Sequence, residues 1–211
     1  MTLFRAPSLI GPLVAAALLA AGCGGGASAT TSNASGASGS KFAGITAPEI
    51  KPAPPLALRD SVGKPVNIRD YRGKAVVVTF IYDHCPDVCP LIVGNLHAAQ
   101  KELGPEASKL QIIAVSVDPR GDTPKTVKAF LKAHQMTGRM EYQIGSRPLL
   151  EKVWSAWHIV ARSSQKKSNP DLVEHSALIY GISASARITT IYPANFKPAQ
   201  LVHDVPILAS Q

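Results

Sequence analysis

Cysteine is scarce, three in 211 residues, which excludes a disulfide-rich scaffold and makes position matter more than number. Acidic residues are absent from the first 40 positions, and a basic motif interleaved with aromatics of the kind that grips single-stranded nucleic acid is absent throughout. A run long enough to span a bilayer, about 20 apolar residues, is also lacking: the stretch from Leu9 to Ala21 is shorter and is broken by Gly11 and Pro12. What is present, 45% hydrophobic and 17% charged residues, is the composition of one ordinary globular domain with additions. The formal net charge is +8, and the 21 cations and 14 acids that follow residue 40 leave +7 on that domain. Such a balance suits an anionic lipid surface or an acidic protein partner rather than nucleic acid.

Residues 1–23 carry one cation, Arg5, then the short apolar run, as an export signal does. The run ends Leu19-Ala20-Ala21-Gly22-Cys23, which resembles a bacterial lipobox with Ala20 in place of the usual Leu. Cys23 is therefore expected to carry lipid and to anchor the chain at the outer face of a bacterial cell membrane. Residues 24–41 are expected to be a tether, because Gly, Ser, Ala and Thr fill nearly every position from Gly24 to Ser40 and cannot build a core. Its root-mean-square reach is on the order of 20–25 Å.

Residues 42–211 read as alternating strands and helices. Leu56–Leu58 and Val66–Ile68 flank a turn containing Gly63 and predict a hairpin. Ala75 to Tyr82 and Leu110 to Val117 are apolar, β-branched runs of the kind buried on both faces of a sheet. Helices are predicted from Leu91 to the Gly104-Pro105 stop, from Pro124 to His134, from Pro148 to His158 and from about Lys197. Strands Ser176–Ile182 and Arg187–Tyr192 complete an α/β, thioredoxin-like order with an N-terminal β-hairpin extension. The order fixes architecture, and function must be argued from the site.

Chemistry concentrates in Tyr82-Asp83-His84-Cys85-Pro86-Asp87-Val88-Cys89-Pro90, where a buried strand passes into a helix. With the helical turn beginning near Pro86, Cys85 stands at its N-terminus, where backbone N–H groups favour a thiolate, and Cys89 follows one turn later. Three readings are open. A structural staple would close a loop of only five residues, with about 2 kcal/mol of chain-entropy stabilisation. A redox dithiol needs nothing more than the pair. A soft-metal site suited to Cu(I) needs a further ligand. Of the six histidines, His97, His134, His158 and His203 are explained by helices, and His84 is expected to point away from the pair. His175 opens the predicted strand after the long loop Val160–Glu174, which bears Lys166, Lys167 and Pro170, and the topology brings it toward the cysteines.

At these residues the sequence resembles the Sco/SenC family of membrane-anchored, copper-binding, thioredoxin-like proteins. The likeness rests on Cys85-Pro86-Asp87-Val88-Cys89-Pro90, on Val115-Ser116-Val117-Asp118-Pro119 with Asp122-Thr123-Pro124, and on Glu174-His175-Ser176-Ala177. The resemblance implies that Cys85, Cys89 and His175 bind one copper, Cu(I) or Cu(II), per chain. It implies a metallochaperone role in assembling the binuclear copper centre of cytochrome c oxidase, with oxidase subunit II and a copper donor protein as partners. It leaves a thiol–disulfide reductase activity of Cys85 and Cys89 open beside metal binding. Asp118 matches a family acid near the site, and would orient ligand or partner, or else cap the loop before Thr123. Two positions depart from the family: Glu174 replaces the usual Asp, and Asp83 stands where Thr is common. A carboxylate at 83 opposes thiolate formation and is expected to raise the Cys85 pKa. Met136 and Met140 read as packing residues, and Trp154 and Trp157 as the buried face of the third helix.

Overall fold

Buried β-branched runs organise the fold. The computed structural model describes residues 40–163 and 172–211. The expected signal, Cys23 and the tether up to residue 39 lie outside them, as do Lys166, Lys167 and Pro170. Strand β1 covers Ile45–Pro52, β2 Ala57–Asp60, β3 Pro65–Asn67 and β4 Ala75–Ile81, followed by helix α1 over Val88–Leu103. Then come β5 (Leu110–Ser116), α2 (Pro124–Ala133), β6 (Met140–Ile144), α3 (Arg147–Ala156) and β7 (Ala161–Ser163). The chain ends with β8 (Val173–His175), β9 (Leu178–Ile182), β10 (Arg187–Pro193) and α4 (Pro198–Ala209).

Eight strands form one sheet in the order β1-β10-β9-β4-β5-β6-β2-β3. The two apolar runs lie at its centre: β4 is buried at every residue and pairs parallel with β5, and β5 pairs parallel with β6. Strand β4 also pairs antiparallel with β9, so it is covered on both edges. The rings of Phe80, Trp157 and Tyr180 pack together on one face of it, Tyr180 edge-on to the other two, with ring centroids 5.4 to 6.2 Å apart. The helix boundaries follow from local chemistry. Thr123 and Thr126 cap the first turn of α2 reciprocally with Pro124 inside it, and α1 stops where Gly104 takes φ +54°. Among the described residues no helix is long and apolar enough to cross a membrane.

The thioredoxin-like arrangement is the expected one, with three differences in detail. The hairpin of β2 and β3 is present, but β2 also pairs with β6, so it completes the main sheet instead of projecting from it. Strand β1 precedes it unpredicted, because its sequence is mostly exposed, holds two prolines and shows no alternation. It exists through pairing with β10, at a sheet edge where proline is tolerated. Strand β6 supplies Met140, which is buried with Met136, as expected of packing residues. Finally, the ends of the long loop pair with each other, Ala161 opposite His175, as a separate two-stranded sheet of β7 and β8. His175 therefore closes β8, and does not open the next strand.

Candidate metal centre

The site is built where β4 ends and the chain turns into α1, at the carboxyl end of the parallel strands. The first helical residue is Val88, three before the helical spacing that begins at Leu91 and two after Pro86, so Cys85 lies in the preceding turn and Cys89 in the first helical turn. The electrostatic consequence survives the shift. The backbone N–H of Cys89, which has no acceptor within the helix, donates to Cys85 Sγ at 3.5 Å. Cys85 is 8% exposed and Cys89 0%, and they are not joined to each other by a disulfide.

His175 completes the constellation, with Nε2 3.7 Å from Cys89 Sγ. Its Nδ1 lies 3.1 Å from the Ser176 carbonyl, which can only accept, so Nδ1 carries the proton and Nε2 presents its lone pair to the thiols. Tyr82 holds this arm in place. Its hydroxyl accepts the Val173 N–H at 3.4 Å, and its ring meets the His175 ring edge-on at 5.8 Å. Ser176 adds a second clasp, donating its N–H to the Val160 carbonyl at 3.1 Å and accepting the Val160 N–H at 3.3 Å.

The two thiols divide one proton unequally. Cys85 is lowered to about 3, first by the hydrogen bond from the Cys89 thiol, against burial, with help from the N–H groups of Asp87 and Cys89. Cys89 is pushed far up, first because it spends its proton on Cys85 and then because it is buried. The resting pair is a Cys85 thiolate beside a Cys89 thiol. The net shift of Cys85 is thus downward even with a carboxylate at position 83, and Asp83 turns Oδ1 toward His84 Nδ1 at 2.9 Å.

The other candidates sort clearly. Asp118 is buried, and its Oδ1 accepts the Arg120 N–H at 3.1 Å while its Oδ2 lies 3.4 Å from His84 Nε2. It caps the loop before Thr123, as one of the two expectations had it, and also reaches the residue next to Cys85. The His134 ring packs on Phe130 at 4.4 Å, and His203 pairs with Asp204 at 2.7 Å. Trp154 and Trp157 are buried, and Trp154 donates to the Ser116 carbonyl at 2.9 Å. Tyr82 and Asp122 were not anticipated as site residues; a tyrosine ending a buried strand just before the cysteines was the available signal for the first.

With the geometry in view, the comparisons are consistent. The profile of the SCO1/SenC family matches residues 47–210. The chain belongs to the SCO1/SenC family. Among solved structures of this SCO1/SenC fold, Bradyrhizobium japonicum ScoI with copper bound is 29% identical, with a TM-score of 0.67 over 74% of this chain and 98% of that one. Apo Sco1 from Thermus thermophilus is 27% identical with a TM-score of 0.68, covering 79% and 96% of the two chains. Among curated SCO1/SenC relatives, the Arabidopsis thaliana mitochondrial SCO1 homolog 1 is 28% identical over 156 residues, 73% of this chain and 44% of that protein. The chain spans about half the length of the curated mitochondrial SCO1 relatives it matches.

Proposed function

We propose that this SCO1/SenC chain binds one copper ion through Cys85, Cys89 and His175 and passes it on during assembly of the binuclear copper centre of cytochrome c oxidase. The observation that supports this most is the convergence of two thiols with an imidazole whose Nε2 lone pair is turned toward them. That donor set fits the cargo. Two thiolates and a neutral imidazole favour Cu(I) and, being mixed sulfur and nitrogen, also accept Cu(II). The similar ScoI of Bradyrhizobium japonicum has been solved with copper bound. Oxidase subunit II would be the acceptor and a separate copper protein the donor. Cys23 would carry the lipid that anchors the domain outside the cytoplasm, with residues 24–41 as its tether.

The test is copper titration of the full chain. One ion should bind, and Cu(II) should give a thiolate charge-transfer band. His175→Ala should weaken binding and change that band; an unaltered affinity and spectrum in both oxidation states refutes the three-ligand site.

The unequal thiols favour a second reading, reduction of a partner disulfide. The Cys85 thiolate, the more exposed of the two, would attack the partner disulfide and release one partner thiolate, and Cys89 would then displace the second. Two electrons pass to the partner and Cys85–Cys89 is left as a disulfide. Dithiol turnover indifferent to His175→Ala would favour this reading over copper transfer.

A further inference from the structure

A second group of donors lies next to the thiol pair and takes part in neither reading. Asp83, His84 and Asp122 each bring a donor atom within 4.8 Å of the others. They come from the loops that follow β4 and β5, and they contain no sulfur. Asp122 is 5% exposed and the Asp83 side chain 6%, while the His84 side chain is 37% exposed and forms the way in.

Two observations distinguish this group from a chance meeting of acids. The first is an unanswered charge. Asp83 turns Oδ1 to His84, but its Oδ2 is buried and has no hydrogen-bond partner. A buried carboxylate oxygen left in that condition is costly, and a cation is the partner that would satisfy it. The second is the geometry around the ring. His84 Nδ1 and Asp83 Oδ1 are 2.9 Å apart. That is the distance of a hydrogen bond, and it is also compatible with one ion held by both atoms, since two donors each about 2.0–2.2 Å from an ion at roughly a right angle stand about 3 Å apart. On its other side His84 Nε2 faces Asp118 Oδ2 at 3.4 Å, which gives the imidazole a carboxylate behind it, so an ion bound at Nδ1 would replace the proton that Nδ1 shares with Asp83 Oδ1. Gly121 closes the loop over this ring so tightly that a Cβ there would collide with His84 Cε1 and Asp118 Oδ2.

We propose that Asp83, His84 and Asp122 form a second metal site, separate from the thiol centre, for a borderline divalent cation of the Cu(II) or Zn(II) type. The chemistry separates the two sites. Imidazole and carboxylates suit such an ion, whereas Cu(I) is drawn to thiolates. Asp83 supplies the counter-charge, and Asp122, held by the Asp83 N–H and the Tyr142 hydroxyl at 2.9 Å each and pushed up to about 7 by burial, adds a second carboxylate once the ion displaces its proton. The site stands independently of the copper-transfer reading.

The experiment removes the thiol centre from the full chain with Cys85→Ser, Cys89→Ser and His175→Ala together, and titrates the product with Cu(II) and, separately, Zn(II). One ion per chain should bind saturably. The Cu(II) form should show an electron paramagnetic resonance signal of oxygen and single-nitrogen ligation, with no thiolate charge-transfer band. Adding Asp83→Asn should cost at least about 10-fold in affinity, as should His84→Asn, whose exposed ring can be lost with the melting temperature retained. Absence of saturable uptake of either ion, or uptake indifferent to both added substitutions, overturns the proposal. Loss of copper at the thiol centre in the otherwise intact chain would refute the transfer reading alone.

Discussion

Loading the thiol pair with Cu(I) is expected to release one proton per ion near neutral pH. The perturbation is the metal itself, which binds thiolates, so each thiol that is protonated beforehand must give up its proton. Cys85, lowered to about 3 by the Cys89 hydrogen bond, has none to give, and Cys89, pushed far above the usual thiol range, holds its proton until the metal displaces it. The sign follows: raising the pH favours the metal-bound form, by tenfold in affinity per pH unit for one proton, about 1.4 kcal/mol. Two ordinary thiols near 8.5 would instead give about 60-fold between pH 7 and 8. Competition against a Cu(I) chelator across that window measures the slope, and proton release in weak buffer counts it directly. Cys89→Ala supplies the control, because it removes the largest cause of the Cys85 shift and should move the thiolate absorbance of Cys85 toward the ordinary range. Release of two protons, or of none, would refute the unequal division of the proton between the thiols.

Tyr82→Phe removes the acceptor of the buried Val173 N–H, at a cost of about 1–3 kcal/mol. Faster amide exchange in β8 and weaker copper binding should accompany it, with Cys85 and Cys89 intact. Asp204 is buried and accepts from the Ala43 and Gly44 N–H groups and the Tyr192 hydroxyl at 2.7 to 2.8 Å. Asp204→Ala should lower stability by about 3–5 kcal/mol in denaturant melts and loosen residues 40–44 first. At Gly181 a Cβ would run into Thr190 Oγ1 and lie 3.1 Å from the Tyr192 ring, so Gly181→Ala should destabilise by about 1–3 kcal/mol, read as a lowered melting temperature.

Which parts were legible in the sequence depended on how local their causes are. The centre of the sheet was readable because Ala75–Ile81 and Leu110–Ser116 are apolar at nearly every position, which a doubly covered strand requires. Helix α2 was readable from Pro124 and the residues around it, and the cysteine pair from its spacing at a strand–helix junction. Strand β1 was not readable, since its one buried position gives no pattern and its pairing with β10 spans the whole domain. The start of α1 at Val88 falls between Pro86, where proline permits a first turn, and Leu91, where the apolar spacing becomes regular.

The sequence by itself determined that two thiols lie within one turn of each other and that a strong candidate third ligand follows 86 residues later. Only the tertiary structure decided what those groups are chemically. The low Cys85, the proton left on Cys89, and the His175 tautomer arise from hydrogen bonds to a thiol, backbone N–H groups and a carbonyl. Asp83 shows the difference most plainly: one carboxylate near a thiol predicts an upward shift by charge alone, yet in the fold its Oδ1 is turned to His84 and the hydrogen bond from Cys89 is the largest cause of a downward shift at Cys85. Charge and residue type are written along the chain, whereas distance and direction, which decide the sign of an electrostatic effect, exist only after folding.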